Sequence, residues 1–271
     1  MPIITSQQIN NFFNSYKETE ITFTKEVVRA TGLFPKEVHL KSVGHPFPCI
    51  IYSVSMTSAK VIANISSSMY EQIRNANNLV SLRFSFLKNN KNNPYSFFVS
   101  ARISGYNPYS KEKKNLNFIS LDFTQRPPDD LIAILGQILE ANANSKKRSE
   151  DRIVINANNI KKLGIDNKSH NLYIQGVPRQ CIVRDLSFSG AKVIVAGVAK
   201  YLIEKNAVLH ISTIDKGIIK LPGIVLRNEE VEGRKDLAVL AIRYDDSKIP
   251  IEYKIMINDF LKIRKFHPDK E

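Results

Sequence analysis

The feature that most constrains this 271-residue chain is that it repeats itself at an offset of 132 residues. Across 49–62 and 181–194 seven of fourteen positions are identical: Cys49/Cys181, Ile50/Ile182, Ser55/Ser187, Ala59/Ala191, Lys60/Lys192, Val61/Val193 and Ile62/Ile194. Without a gap, the same offset pairs Ile21 with Ile153, Gly32 with Gly164, Leu40 with Leu172, Gly44 with Gly176 and Pro46 with Pro178. Chance does not produce that agreement. The chain reads as two copies of one domain, each of ordinary domain size.

Each copy is mainly β. In the first, strands are expected at Glu37–Leu40, Cys49–Tyr52, Ala59–Asn64, Leu79–Leu87 and Phe97–Ile103. In the second they are expected at Leu172–Gln175, Cys181–Arg184, Ala191–Ala196, Ala207–Thr213, Gly217–Arg227 and Asp236–Tyr244. Turn signals at Asp215-Lys216-Gly217 and Glu232-Gly233-Arg234 separate the later strands, as in a small antiparallel barrel. A helical pattern closes each copy, Asp129–Leu139 and Ile251–Leu261, and the first begins at a proline pair with early acids. An amphipathic helix is expected at Ser6–Tyr16, and short helices at Ser67–Ala76 and Val198–Glu204. Ala141–Lys147 is polar and lacks an apolar stripe, so it reads as a linker. The expected division is 1–141, a linker at 142–147, and 148–271.

With 43% hydrophobic residues the chain can build cores. Its net charge of +13 favours anionic partners: a nucleotide, RNA or DNA, or an acidic membrane surface. The second copy is the more basic, with +8 over residues 145–271 against +5 over 1–144. No signal peptide is expected at Met1–Thr5, and the apolar run Leu131–Leu139 is too short to span a bilayer. Two cysteines, Cys49 and Cys181, are too few for a disulfide framework and read as small buried hydrophobes. A cytoplasmic location is expected. The five histidines form no metal-ligand spacing, so no metal is expected. The acids Glu229, Glu230 and Glu232 read as a solvated loop beside a turn, and no phosphate loop or nucleophile elbow is present. The expectation is a receptor, with no enzymatic activity.

The chemistry concentrates in the second copy. Lys147-Arg148-Ser149-Glu150-Asp151-Arg152 places two arginines four residues apart, and Asp185-Leu186-Ser187-Phe188-Ser189-Gly190 follows about thirty residues later. Read as a strand, Asp185, Ser187 and Ser189 share one face and Leu186 and Phe188 the other. Guanidinium groups pair bidentately with phosphate or with guanine O6 and N7, and a carboxylate accepts from guanine nitrogens. A glycine permits close backbone approach to a ligand. The first copy is an internal control: opposite Arg148, Arg152, Asp185 and Gly190 it has Tyr16, Glu20, Ser53 and Ser58. Apolar positions are kept and ligand-type positions are lost.

Arg-x-x-x-Arg followed by Asp-x-Ser-x-x-Gly and an apolar strand resembles the PilZ domain, a bacterial receptor module for cyclic di-GMP. The resemblance extends over nearly the whole chain. It implies two tandem PilZ-like antiparallel β-barrels, each closed by a C-terminal helix, with cyclic di-GMP bound by the second alone. The ligand set it implies is Lys147, Arg148, Ser149, Arg152, Asp185, Ser187 and Gly190. Arg148 and Arg152 would hold phosphate and guanine, Asp185 the Watson–Crick edge, Ser187 a hydroxyl contact, and Gly190 close backbone approach. Lys147 stands where a family variant has a third arginine, and both one ligand and a stacked pair stay open. A change of interdomain arrangement on binding, passed to a protein effector, is the signalling mode expected. The rival reading is a basic β-barrel that binds RNA or DNA through its charge and its strand aromatics.

Overall fold

The computed structural model describes residues 4–87, 94–109, 115–166, 170–197, 199–215, 217–231 and 233–266. The chain divides into two units, Met1–Leu139 and Glu140–Glu271. The first unit runs α1 (Ser6–Tyr16), β1 (Ile21–Thr22), α2 (Lys25–Thr31), β2 (His39–Ser42), β3 (His45–Val54), β4 (Ser58–Asn64), α3 (Ser67–Asn75), β5 (Leu79–Phe86), β6 (Tyr95–Pro108) and β7 (Leu116–Phe123). Helix α4 (Asp129–Lys147) starts in the first unit and ends in the second. The second unit continues with β8 (Ile153–Val154), α5 (Ala157–Leu163), β9 (His170–Ile174), β10 (Val177–Leu186), β11 (Gly190–Ala196), β12 (Asn206–Thr213), β13 (Gly217–Val231), β14 (Arg234–Tyr244) and α6 (Ile251–Phe266).

Both units are the expected barrels. In the first, β3, β2, β5, β6, β7 and β4 pair in that order, and β4 pairs back to β3, so six antiparallel strands close. In the second, β10, β9, β12, β13, β14 and β11 do the same. The short strands β1 and β8 lie outside the rings, each paired to the strand that carries the repeated motif. Closure removes free sheet edges, and alternation sends every second side chain inward. Leu172, Val193, Leu209, Leu221 and Leu240 are fully buried in the second core. Leu40, Val61, Leu82, Ile119 and Leu121 are fully buried in the first.

The repeat is visible in the backbone itself. Strands β3 and β10, β4 and β11, and helices α2 and α5 superimpose in sequence at the 132-residue offset. The hairpins entering β3 and β10 each carry two successive positive φ values, 48° and 81° at Val43-Gly44, 50° and 83° at Gln175-Gly176. Two positive φ values give the turn whose twist matches the flanking strands, and glycine at the second position lowers its cost. The offset changes after β4 and β11. There the first unit has the nine-residue α3, while the second has a single 3-10 turn at Ala199–Leu202 in place of the expected Val198–Glu204 helix. Val198, and the turn residues Lys216 and Glu232, lie outside the described residues.

The segment 142–147, read from sequence as a linker, is the end of α4. Its security is polar. The Lys254 Nζ donates to Asn142 Oδ1 at 3.3 Å, Asn144 Nδ2 to Asn258 Oδ1 at 2.7 Å, and Asn258 Nδ2 to Glu140 Oε2 at 3.2 Å. Lys262 pairs with Glu140. The three partner residues, Lys254, Asn258 and Lys262, are all on α6, within the second unit. Lys146 and Lys147 occupy the last turn, where cations complement the helix dipole.

Candidate functional site

Two neighbouring elements carry the motif. The Arg148 N–H donates to Asn144 O at 2.9 Å, completing α4, and a turn follows in which Asp151 N donates to Arg148 O at 3.2 Å. Strand β8 then pairs Val154 with Asp185 and Ile153 with Leu186. That register carries Arg152 to β10, where its Nη1 donates to Asp185 Oδ1 at 2.6 Å. The side chains are 39% and 15% exposed, a charge-assisted contact at the barrel surface.

The pairing of β10 with β11 slips between Val183 and Asp185. This bulge turns both Arg184 and Asp185 outward while Val183 and Leu186 stay buried. Bulges often re-aim a side chain beside a functional site.

Past Leu186 the expected alternation stops. Leu186, Ser187 and Phe188 are all buried, because β10 ends and residues 187–189 form the turn into β11. The Ser187 N–H donates to Gly190 O at 2.8 Å, and Ser187 Oγ accepts from the Gly190 N–H at 3.1 Å. Tyr253 Oη, from α6, donates to Ser187 O at 2.8 Å. Ser189 Oγ faces the arginine segment instead and donates to Ser149 O at 2.9 Å. A Cβ on Gly190 would collide with the Ile242 carbonyl oxygen, so the close approach that requires glycine here is to β14. The first unit repeats the turn: Ser55 N donates to Ser58 O at 2.9 Å, and Ser55 Oγ accepts from Ser58 N at 3.0 Å. A serine that does the same work in the copy without the arginines is placed by the turn.

Arg148 and Arg152 line one open cleft of about 340 Å³ with Asp151, Leu261 and Arg264. The third arginine lies past Leu261, where the closing helix expected from sequence ends, whereas the helix continues to Phe266. Asp185, the partner of Arg152, lines a second slot of about 170 Å³ with Val154, Arg184, Lys192, Glu229 and Val239. Lys192 donates to Glu229 Oε1 across it at 3.1 Å. Lys147 is exposed at the end of α4 and lines neither cavity. A larger depression of about 420 Å³, between β12, β13 and the end of β14, contains none of the motif residues.

The first unit shows what the same framework becomes without the motif. Glu20 takes the place of Arg152, accepts from Ser53 Oγ at 2.8 Å, and pairs with Lys60 Nζ at 2.9 Å. The bond from Lys60 holds the Glu20 carboxyl below its ordinary value. The charge at the seam is thus inverted. Burial pushes the Cys49 and Cys181 thiols up to about 12, so both behave as core hydrophobes. Among the described residues no cluster of His, Cys, Asp or Glu is placed to hold a metal ion, and no helix is long and apolar enough to cross a membrane.

Residues 7–142 match the PilZN3 domain family. A cyclic di-GMP binding protein of Treponema denticola is 41% identical over 264 residues, covering 97% of this chain and 84% of that protein. Among solved structures, the chain is similar to Borreliella burgdorferi PlzA in complex with c-di-GMP, with 24% identity, coverage of 94% and 98%, and a TM-score of 0.42. It is also similar to Escherichia coli YcgR in complex with c-di-GMP, with 12% identity, coverage of 90% and 89%, and a TM-score of 0.30.

Proposed function

This chain belongs to the PilZN3 family, and from that premise we propose that it is a receptor for cyclic di-GMP, binding it at the Arg148–Arg152–Asp185 site of the second barrel. The observation that carries the reading is the contrast between the two units. On one framework, the second unit gathers Arg148, Arg152 and Arg264 around a cleft beside Asp185, while the first puts Glu20 at the equivalent place. Phosphates want the former and are repelled by the latter. Asp185 accepts from guanine, and the arginines take phosphate and the guanine O6/N7 edge.

The ligand-binding half is 148–271 and the non-binding half 1–141, joined through the helical 142–147. Ser149 contributes backbone to the site, and Lys147 adds long-range charge from the end of α4. Ser187 and Gly190 act by shaping the turn that presents Asp185 and Ser189. Capture of a dinucleotide at Arg148 acts directly on the end of α4, the helix common to both units, and the readout to a protein effector begins there. The protein works as a cytoplasmic receptor and performs no chemistry on its ligand. Titration calorimetry of the full chain at physiological salt tests this: cyclic di-GMP should bind saturably and GTP should not compete at equal concentration.

A further inference from the structure

Resting on that reading, we propose that the slot beside β14 is the base-holding half of the site, and that Arg184 and Lys192 are guanine-recognising residues within it. Its volume of about 170 Å³ is too small for a whole dinucleotide and suits one flat heterocycle. Its walls are apolar at Val154 and Val239, and Val154 is 63% exposed. Around these walls stand two donors, Arg184 and Lys192, and two acceptors, Asp185 and Glu229. That is the set a guanine requires: a guanidinium or ammonium for O6 and N7, and a carboxylate for the ring N–H and amino group. N7 is common to both purines, but adenine presents an amino group where guanine presents O6, so the donor meant for O6 would be left unpaired.

The first unit supplies independent support. The 132-residue offset places Tyr52 opposite Arg184, and the strand registers place Phe118 opposite Val239, through Ile62↔Phe118 and Ile194↔Val239. Those two rings meet edge to face, 5.1 Å between centroids. Where the second unit has an open slot with apolar walls, the first has it occupied by two aromatic rings of its own. The lysine common to both copies also changes partner. Lys60 is taken by Glu20, whereas Lys192 spans the slot to Glu229. The bulge that turns Arg184 outward therefore has a use in one copy, and in the other it presents a plug.

The test uses the full chain, cyclic di-GMP and cyclic di-AMP as probes, and calorimetry at physiological salt. Two variants are compared with the unaltered protein. The double substitution Arg184→Tyr and Val239→Phe copies the plug of the first unit and leaves Arg148, Arg152 and Asp185 in place. The single substitution Arg184→Ala removes an exposed side chain, and it decides the matter should the double variant fold poorly. Both should weaken cyclic di-GMP by at least about fivefold, the lower end expected for one bidentate base contact, and shrink its preference over cyclic di-AMP. Thermal midpoints should stay close to that of the unaltered chain for Arg184→Ala. Unchanged affinity and unchanged preference in a folded variant would overturn the base slot while leaving the receptor reading intact. Failure of the unaltered chain to bind cyclic di-GMP would overturn both.

Discussion

Arg152 donates to Asp185 across 2.6 Å, and this ion pair links the two cavities, Arg152 lining the arginine cleft beside α6 and Asp185 the slot beside β14. Because Arg152 is 39% exposed, the pair itself contributes little to folding, about 0–1 kcal/mol for contacts of this kind. In the proposed site its value lies in fixing Arg152 and Asp185 at one seam. Arg152→Ala should therefore leave the thermal midpoint nearly unchanged and remove charge-assisted contacts to the ligand worth about 1.5–3 kcal/mol each. Differential scanning fluorimetry and calorimetry on the same sample check both halves. A large loss of stability without a loss of affinity would reverse the assignment.

Ser187 should behave in the opposite way. Its side chain is fully buried and bonds the Gly190 N–H, so Ser187→Ala leaves a buried donor short of a partner. The expected cost is about 1–3 kcal/mol in denaturant unfolding. Ser55→Ala in the first barrel should cost about as much, since Ser55 makes the same bond there. Loss of binding by Ser187→Ala at unchanged stability would show a direct ligand contact instead.

The two thiols give a test of the cores. With Cys49 and Cys181 buried and their ionisation pushed up to about 12, neither should react with a thiol reagent at pH 8 in the folded protein, and both should react after denaturation. The sign for stability follows. A thiol raised when folded holds its proton while the unfolded chain loses its own above about 8.5, so stability should decline as pH rises past that value. Rapid labelling of either cysteine in the native protein would place it outside the core.

Helix α4 continues through Lys147, so trypsin should cut slowly after Lys146 and Lys147 even without cyclic di-GMP. A cut limited to these sites, suppressed by the ligand, would restore the picture of a loose linker that orders on binding. Small-angle scattering with and without cyclic di-GMP addresses the accompanying question of shape, and a change on binding is expected.

Much of this was legible in the sequence because duplication is a long-range signal. The offset located both barrels, both closing helices and the copy that carries the arginines. What escaped notice depended on details that periodicity does not register. The last turns of α4 are held by Asn142, Asn144 and Asn258 rather than by an apolar stripe, so hydrophobic spacing reported a linker. Arg264 sits past Leu261, on the last turns of α6 that run on to Phe266. The bulge at Arg184 shifts the face of every later residue by one, and the turn at Ser187 ends the strand altogether, so strict alternation misplaced the serine. Gly190 is read from sequence as allowing approach to a ligand, and the atom that crowds it belongs to Ile242 of the barrel itself.

The central claim is that the second barrel alone holds cyclic di-GMP, through its arginine pair. The most direct measurement is calorimetric titration of cyclic di-GMP into the full chain and into its Arg148→Ala, Arg152→Ala double variant. The account predicts saturable binding by the unaltered chain and no measurable heat of binding by the double variant, whose circular dichroism should be unchanged. Binding of equal affinity by the double variant would contradict it.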